Sequence, residues 1–444
     1  MKDFSAIEQK MESAGLSRAA IEAFRHSVET VESGVSGLVP ESDILPAEGV
    51  EDWESLRAGV PAAPREVLSR TVVIKLNGGL GTSMGLQKAK SLLPIQNGLT
   101  FLDLIVRQVR SLRRNARCSV RLLLMNSFST SRDTLDYLSR YADEGFADAG
   151  EVEIMQNRAP KLLVPGLEPA SCPGREDLEW CPPGHGDLYP SLLGSGWLDR
   201  LLSEGILYAF VSNSDNLGAQ LDLKLLNWFA QSGAPFAMEV TRRTEADRKG
   251  GHLAARRSDG RLILREVAQC PEEALGEFQN IEKYKYFNTN NLWLRLDALK
   301  EYLDSHGGVM PLPVMRNVKS LDPRDPSTPK VYQLEVAMGA AVECFQGARA
   351  VCVPRTRFFP VKTTSDLLLL RSDAVQISED GSVALAPECG GRAPLVSLDA
   401  RYKFVDALDR LGVPSLKRVR SLTVRGEHTF QPGEALEGDV VAAP

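Results

Sequence analysis

From Thr71 onward the chain alternates short β-branched or apolar runs with amphipathic stretches, and this alternation restricts the fold more than any other feature. TVVIKL (71–76) is followed by a glycine-rich loop and the helical pattern TFLDLIVRQVRSL. The apolar run Val120–Met125 is followed by STSRDTLDYLSRYA. Val152–Met155 is a further strand candidate, and helical SLLGSGWLDRLLSEG leads into ILYAFVSNSD. Strands that alternate with helices in this way predict an α/β fold with a mixed, mostly parallel sheet and helices on both faces. Such sheets bind ligands beyond the carboxyl ends of their strands. The loops after Leu76, Met125, Met155 and Val211 are therefore the candidate ligand loops.

The flanks read differently. Met1 to Val35 carries helix formers with Ile21, Phe24 and Val28 at helical spacing, and residues 34–64 form a Gly-, Pro- and acid-rich connector. The tail from Pro387 holds one helical segment, then Leu422, Val424, Phe430, Leu436, Val440 and Val441 among turn residues. That pattern reads as a small β appendage whose last two dozen residues could form one or two coils of a β-solenoid. Three segments follow: 1–64 helical lead-in and connector, 65–385 main domain, 386–444 short β region.

Composition excludes several classes. Lys+Arg 52 against Asp+Glu 58 gives a net charge of -6, which provides no field to gather nucleic acid. The start has no apolar core of signal-peptide length, and no stretch reaches the roughly 18 apolar residues of a membrane span. The sequence thus predicts a cytoplasmic protein with no nucleic-acid or membrane partner. Seven cysteines lie scattered without close pairs and five histidines are dispersed, which argues against a zinc or histidine-rich metal centre.

KLNGGLGTSMG places Gly78, Gly79, Gly81 and Gly85 just after a strand, where absent side chains would let backbone N–H groups approach an anionic ligand. It lacks the GK[ST] of a P-loop and the GxGxxG of a dinucleotide fold, and on its own it is equally a structural turn. Lys90 follows, positioned to reach phosphates held by the loop. WCPPGHGDLYP sets His185 and Asp187 in an exposed turn, with His185 able to donate to phosphate. FVSNSDNLGA ends a strand with Asn213 and Asp215. A lone aspartate suffices for Mg²⁺ when substrate phosphates complete the shell, although capping a turn is its commoner use. The amides of YFNTNNLWL suit sugar hydroxyls, and RFFPVKTTSDLL offers Lys362 as a second phosphate-binding cation.

Taken in order from about Thr71 to Leu370, LNGGLGTSMG with Lys90-Ser91, TFLDL, LLLMNSFST, WCPPGHGDLYP, FVSNSDNLGA, YFNTNNLWL, YQLEVAMGAA and RFFPVKTTSDLL closely resemble the eukaryotic-type UTP-glucose-1-phosphate uridylyltransferases, or UDP-glucose pyrophosphorylases. The resemblance implies a Rossmann-like, GT-A-like nucleotidyltransferase domain with a short C-terminal left-handed β-helix. It implies that UTP and glucose 1-phosphate give UDP-glucose and pyrophosphate, reversibly and with Mg²⁺. By the same resemblance Leu76, Asn77, Gly78, Gly79, Gly81, Thr82, Met125, Gln156 and Gly184 bind the nucleotide, with Gln156 reading the uracil edge. Lys90, His185 and Lys362 act at the phosphates and Asp215 binds Mg²⁺. Asn213, Gly251, Glu266, Asn288 and Asn290 line the sugar side.

Two departures stand out: Ala89 occupies a position where the family usually has proline, and the chain stops at Pro444, short of the family's usual β-helix, which leaves oligomerisation open. Pyrophosphorylases for other UDP-sugars or for N-acetylhexosamine 1-phosphate share the plan, but the latter usually carry an arginine around Ser83. A non-catalytic UDP-sugar-binding protein would be expected to have lost Lys90, His185, Asp215 or Lys362, all of which are present.

Overall fold

The strands expected from the alternation form: Thr71–Asn77, Arg121–Asn126, Glu153–Met155 and Tyr208–Asn213. A computed structural model provides the coordinates, and it describes residues 4–34 and 37–443. The extremes of the first and last expected segments, at residues 1–3, 35–36 and 444, lie outside the described residues. The chain divides into two compact units, one of Met1–Ile74, Ile154–Val211 and Leu223–Val353, the other of Lys75–Glu153, Ser212–Asp222 and Pro354–Pro444. The division falls inside strands Thr71–Asn77 and Tyr208–Asn213.

In the first unit the sheet runs Glu51–Asp52, Arg349–Cys352, Phe236–Arg242, Tyr286–Arg295, Tyr208–Asn213 and Thr71–Asn77. The first three are parallel to one another, whereas Tyr286–Arg295 is antiparallel to both of its neighbours. His252–Arg256 and Leu262–Arg265 pair antiparallel beside it. Helix Arg18–Glu32 begins at Ser17, whose hydroxyl accepts from the Ala20 N–H. Its apolar face, with Ile21, Phe24 and Val28, packs on Ile7, Met11, Ala159 and Leu334, so the helical lead-in has a core of its own.

The second unit contains the carboxyl ends of the strands Thr71–Asn77, Arg121–Asn126 and Tyr208–Asn213. Lys75 near the end of Thr71–Asn77 donates to Ser212 near the end of Tyr208–Asn213, and Asn77 donates to Asn126 at the end of Arg121–Asn126. Carboxyl ends side by side mean parallel strands, so the central sheet is mixed and largely parallel. Helix Phe101–Ala116 starts with a capping box between Thr100 and Asp103. Asp103 is buried and also accepts from the Tyr137 and Tyr141 hydroxyls. Farther along, Leu395–Leu398, Val419–Val424 and Gly438–Ala442 form a three-stranded parallel sheet. Leu422, Val424 and Phe430 join Phe101, Leu104 and Leu368 in this unit's core.

Two helical patterns break. SLLGSGWLDRLLSEG forms helices Leu188–Gly194 and Trp197–Ser203, parted at Gly196 with φ 78°, and the pattern from Ser129 gives way after Leu138 to 3₁₀ geometry. No helix among the described residues is long and apolar enough to cross a membrane.

Candidate active site

In the second unit a single carboxylate brings two lysines together. Asp215 follows the strand Tyr208–Asn213. Its Oδ2 accepts from Lys90 Nζ at 2.7 Å and from Lys362 Nζ at 2.9 Å, and Lys362 lies 3.3 Å from Oδ1. Lys90 also donates to the Val361 carbonyl. Asp215 is 9% exposed. Burial alone would raise its pKa, but Lys362 and Lys90 outweigh that and hold the carboxyl below its ordinary value. The two lysines differ: the Lys90 side chain is 13% exposed and that of Lys362 is 56% exposed. Lys362 is therefore the one that can swing toward a ligand at little desolvation cost.

Local sequence explains this placement. The Asn216 side chain accepts from the Phe359 N–H at 2.8 Å and Val361 N–H donates to the Asp215 carbonyl at 3.2 Å, so SNSDN and FFPVK are stitched together. Lys362 ends that stitch just before a capping box in which Asp366 accepts from its backbone N–H. Beneath the loop, buried Lys75 donates to Ser212 Oγ and to the Ala219 carbonyl. Sequence reasoning missed Lys75, although a lysine inside the apolar run TVVIKL is the signal for a buried ammonium that carbonyls must satisfy.

The glycine loop lies in the same unit. Gly81 has φ 68°, and an added Cβ would stand 2.8 Å from Leu86 Cδ1. Lys90 N–H donates to the Gly79 carbonyl at 3.1 Å, which turns the chain back and brings Lys90 under the loop. Ala89 has φ -50°, a value within the range proline imposes. The backbone before Lys90 therefore keeps a φ that a proline could also adopt. Asn77 and Met125 are buried. Asn77 Nδ2 donates to Asn126 Oδ1 and Thr134 Oγ1, and Ser127 Oγ donates to the Gly78 carbonyl, so these residues brace the loop from below. Asn213 ends its strand two residues before Asp215.

In the first unit Gln156, Gly184 and His185 come together. Gln156 Nε2 donates to the Gly184 carbonyl at 3.1 Å. His185 Nδ1 accepts from the Met338 N–H at 3.0 Å, which puts the proton of the neutral ring on Nε2 and makes that atom a donor. The glycines are sterically required. Gly184 has φ 84°, and a Cβ there would stand 2.4 Å from the Val336 carbonyl oxygen. Gly184→Ala is expected to cost about 1–3 kcal/mol, read as a melting temperature several degrees lower in circular dichroism; an unchanged melting curve would contradict the clash.

Gly251, Glu266, Asn288 and Asn290 also gather in this unit. The Asn288 N–H donates to the Gly251 carbonyl at 3.4 Å, and a Cβ on Gly251 would stand 2.5 Å from the Glu266 carboxylate. Burial raises the Glu266 pKa. A register shift opposite Glu239 and Val240 lets the chain bulge at Asn290, which adopts φ 57° and whose Oδ1 accepts from Asn288 Nδ2. Fully buried Glu239 fixes the bulge by accepting from Asn291 and Trp293 side chains. Met338 donates to His185, while the next residue, Gly339, packs so closely that a Cβ there would stand 3.1 Å from Asn288 Nδ2. The His185 turn and the asparagine bulge therefore adjoin through two consecutive residues. The arrangement provides amides and a carboxylate for hydroxyl groups beside a histidine donor for an anion.

Comparison with known proteins agrees with this chemistry. The family description UTP–glucose-1-phosphate uridylyltransferase matches residues 23–437. The enzyme of that name from Solanum tuberosum is 43% identical over 388 residues, 86% of this chain and 79% of its own length. That from Saccharomyces cerevisiae is 43% identical over 380 residues, 84% of this chain and 74% of its own. Among solved structures, a point variant of UDP-glucose pyrophosphorylase from Leishmania major in complex with UDP-glucose superposes with a TM-score of 0.93 at 44% identity, covering 100% of this chain and 95% of that one.

Proposed function

Because the chain belongs to the UTP–glucose-1-phosphate uridylyltransferase family, we propose that it joins UTP to glucose 1-phosphate, giving UDP-glucose and pyrophosphate. The observation that carries this reading is the pair Lys90 and Lys362 on the one buried carboxylate of Asp215, beyond the carboxyl end of a central strand. In the reaction a phosphate oxygen of glucose 1-phosphate attacks the α-phosphorus of UTP. The bond to the bridging oxygen of the β-phosphate breaks, and pyrophosphate leaves. The attacking oxygen is already ionised, so no general base and no covalent intermediate are needed. Alignment of two anions and neutralisation of their charge remain for the protein to supply.

Lys90 and Lys362 carry that neutralisation, and His185 donates from Nε2 to the sugar phosphate. The backbone from Leu76 to Thr82, with Met125 behind it and with Gln156 and Gly184, is assigned to the nucleotide. Asn213, Gly251, Glu266, Asn288 and Asn290 are assigned to the sugar. Among the described residues no three His, Cys, Asp or Glu side chains gather as metal ligands. A lone buried aspartate does fit a Mg²⁺ whose other ligands are nucleotide phosphates and water. Asp215 would hold that ion, whose contribution when bound is Lewis-acid polarisation of phosphate oxygens.

The same reading treats residues 65–385 as the catalytic region and 386–444 as a short β-helix, on the support of the three parallel strands between Leu395 and Ala442. It assigns the protein to the cytoplasm, in keeping with the absence of any disulfide among the described cysteines. A coupled pyrophosphate-release assay with UTP, Mg²⁺ and a panel of sugar 1-phosphates tests the function. Release is expected with glucose 1-phosphate and is expected to stop on chelation of Mg²⁺. No release with any sugar would refute an enzymatic role, and release restricted to N-acetylhexosamine 1-phosphate would reassign the substrate.

A further inference from the structure

Asp187 is 4% exposed and has no cationic partner among the described residues, yet three donors converge on it. Its Oδ2 accepts from the Asn157 backbone N–H at 2.7 Å and from Ser191 Oγ at 2.7 Å, and Asn157 Nδ2 lies 3.1 Å from Oδ1. Asn157 directly follows Gln156, and Gln156 Nε2 is bound to the Gly184 carbonyl. The segment 156–157 and the turn 184–187 are therefore laced together at both ends, by Gln156 on Gly184 and by Asn157 on Asp187. On its other side the turn is pinned by the Val336 N–H donating to Pro183 and the Met338 N–H donating to His185. Asp187 is the only member of this lattice that carries a formal negative charge.

We infer that Asp187 is a positioning residue that holds the base-reading Gln156 and the phosphate-side His185 in one fixed geometry. The inference rests on the proposed uridylyltransferase reading for the roles of those two residues. Its chemistry is specific: a carboxylate can accept from all the converging donors, whereas an amide of the same shape must turn an NH₂ toward one of them. Behind the turn, helix Arg18–Glu32 completes a small cavity of about 40 Å³ that Asp187, Asn157 and Gly186 share with Phe24 and Ser27. The Asp187 carboxylate itself is buried beside that cavity. That burial pushes its pKa up to about 6 against the pull of Ser191 and Asn157. Around it, His26 and Arg158 line the same cavity and His185 lies on the turn itself.

The test compares Asp187→Asn and Asn157→Ala with the unmodified full-length chain. Rates of pyrophosphate release give kcat and KM for UTP, calorimetry gives the Kd for UDP-glucose, and circular dichroism checks folding. Loss of alignment at both groups is expected to lower kcat at least about tenfold and to raise KM for UTP several-fold. In a Gln156→Ala background, Asp187→Asn is expected to add little to KM for UTP, because it acts through Gln156. A folded Asp187→Asn variant with kcat and KM within about twofold of the unmodified chain would overturn the inference, as would a full additive effect on KM. If Asp187→Asn does not fold, Asn157→Ala decides by the same criteria. If the unmodified chain releases no pyrophosphate, the functional reading fails, and the Kd for UDP-glucose decides on Asp187 by the same tenfold and twofold limits.

Discussion

Lys362→Ala is expected to lower kcat by about 10²–10⁴-fold while leaving the fold nearly untouched, since removal of a cation acting on transferring phosphoryl groups costs that much in comparable sites. Its side chain is 56% exposed and, among the described residues, makes one ion pair, with Asp215. The lysine end of the pair is solvent-screened although Asp215 is buried, so the pair is expected to contribute about 1 kcal/mol, the top of the range for exposed pairs, and the melting temperature should move by no more than about 4 °C. Asp215 keeps Lys90 as a partner, so no buried charge is orphaned. Steady-state pyrophosphate release together with a thermal melt separates the two effects. Turnover within a few-fold of the unmodified chain would remove Lys362 from the mechanism; a large fall in melting temperature would show a structural role that the exposure does not account for.

The sequence made the scaffold of this site legible and left its joints hidden, for a physical reason. Strands Thr71–Asn77, Arg121–Asn126 and Tyr208–Asn213 announce themselves because burial on both faces demands continuous apolar runs. The hairpin Val314–Asp322 with Asp325–Val336 does not: most of its residues are only partly buried or exposed, it carries Pro326 and Pro329, and it lacks the alternation that marks a half-buried strand. The interleaving of the two compact units is equally silent, because hydrophobic periodicity shows which face is buried but not against what.

Site residues divide in the same way. Glycines and the polar strand ends marked the loops, and the family resemblance supplied roles that spacing alone left open. Lys90 and Lys362 are 125 and 147 positions from Asp215, so nothing local joins them. Asp187 looked like any aspartate in a glycine turn, since a sequence cannot show that a carboxylate points inward to Asn157 and Ser191 rather than out to water. Glu239 was invisible for the same reason: its function is to brace the bulge at Asn290 from the opposite strand.

Asp215→Ala should behave unlike Lys362→Ala, losing both turnover and stability. The carboxylate is the shared counter-charge of two ammonium groups, one of them the largely buried Lys90. Without it Lys90 keeps, of these two contacts, only the Val361 carbonyl, and breaking a buried pair by removing one partner costs about 3–5 kcal/mol. Exposure of Lys362 to solvent places the expected loss toward the lower end. Asp215→Asn preserves the volume and separates charge from packing: turnover is expected to stay low while part of the stability returns. The pH dependence carries a further check. The folded pKa of Asp215 lies below its unfolded value of about 3.9, so the native state binds this proton less readily than the unfolded chain. Its stabilisation is therefore complete above that pH and is lost as pH falls through the folded value. The difference in unfolding free energy between the unmodified chain and Asp215→Ala, measured by urea titration, should be largest near neutrality and should shrink below about pH 4. A gap that stays constant or widens on acidification would mean that the charge of Asp215 is not what holds the two lysines in place.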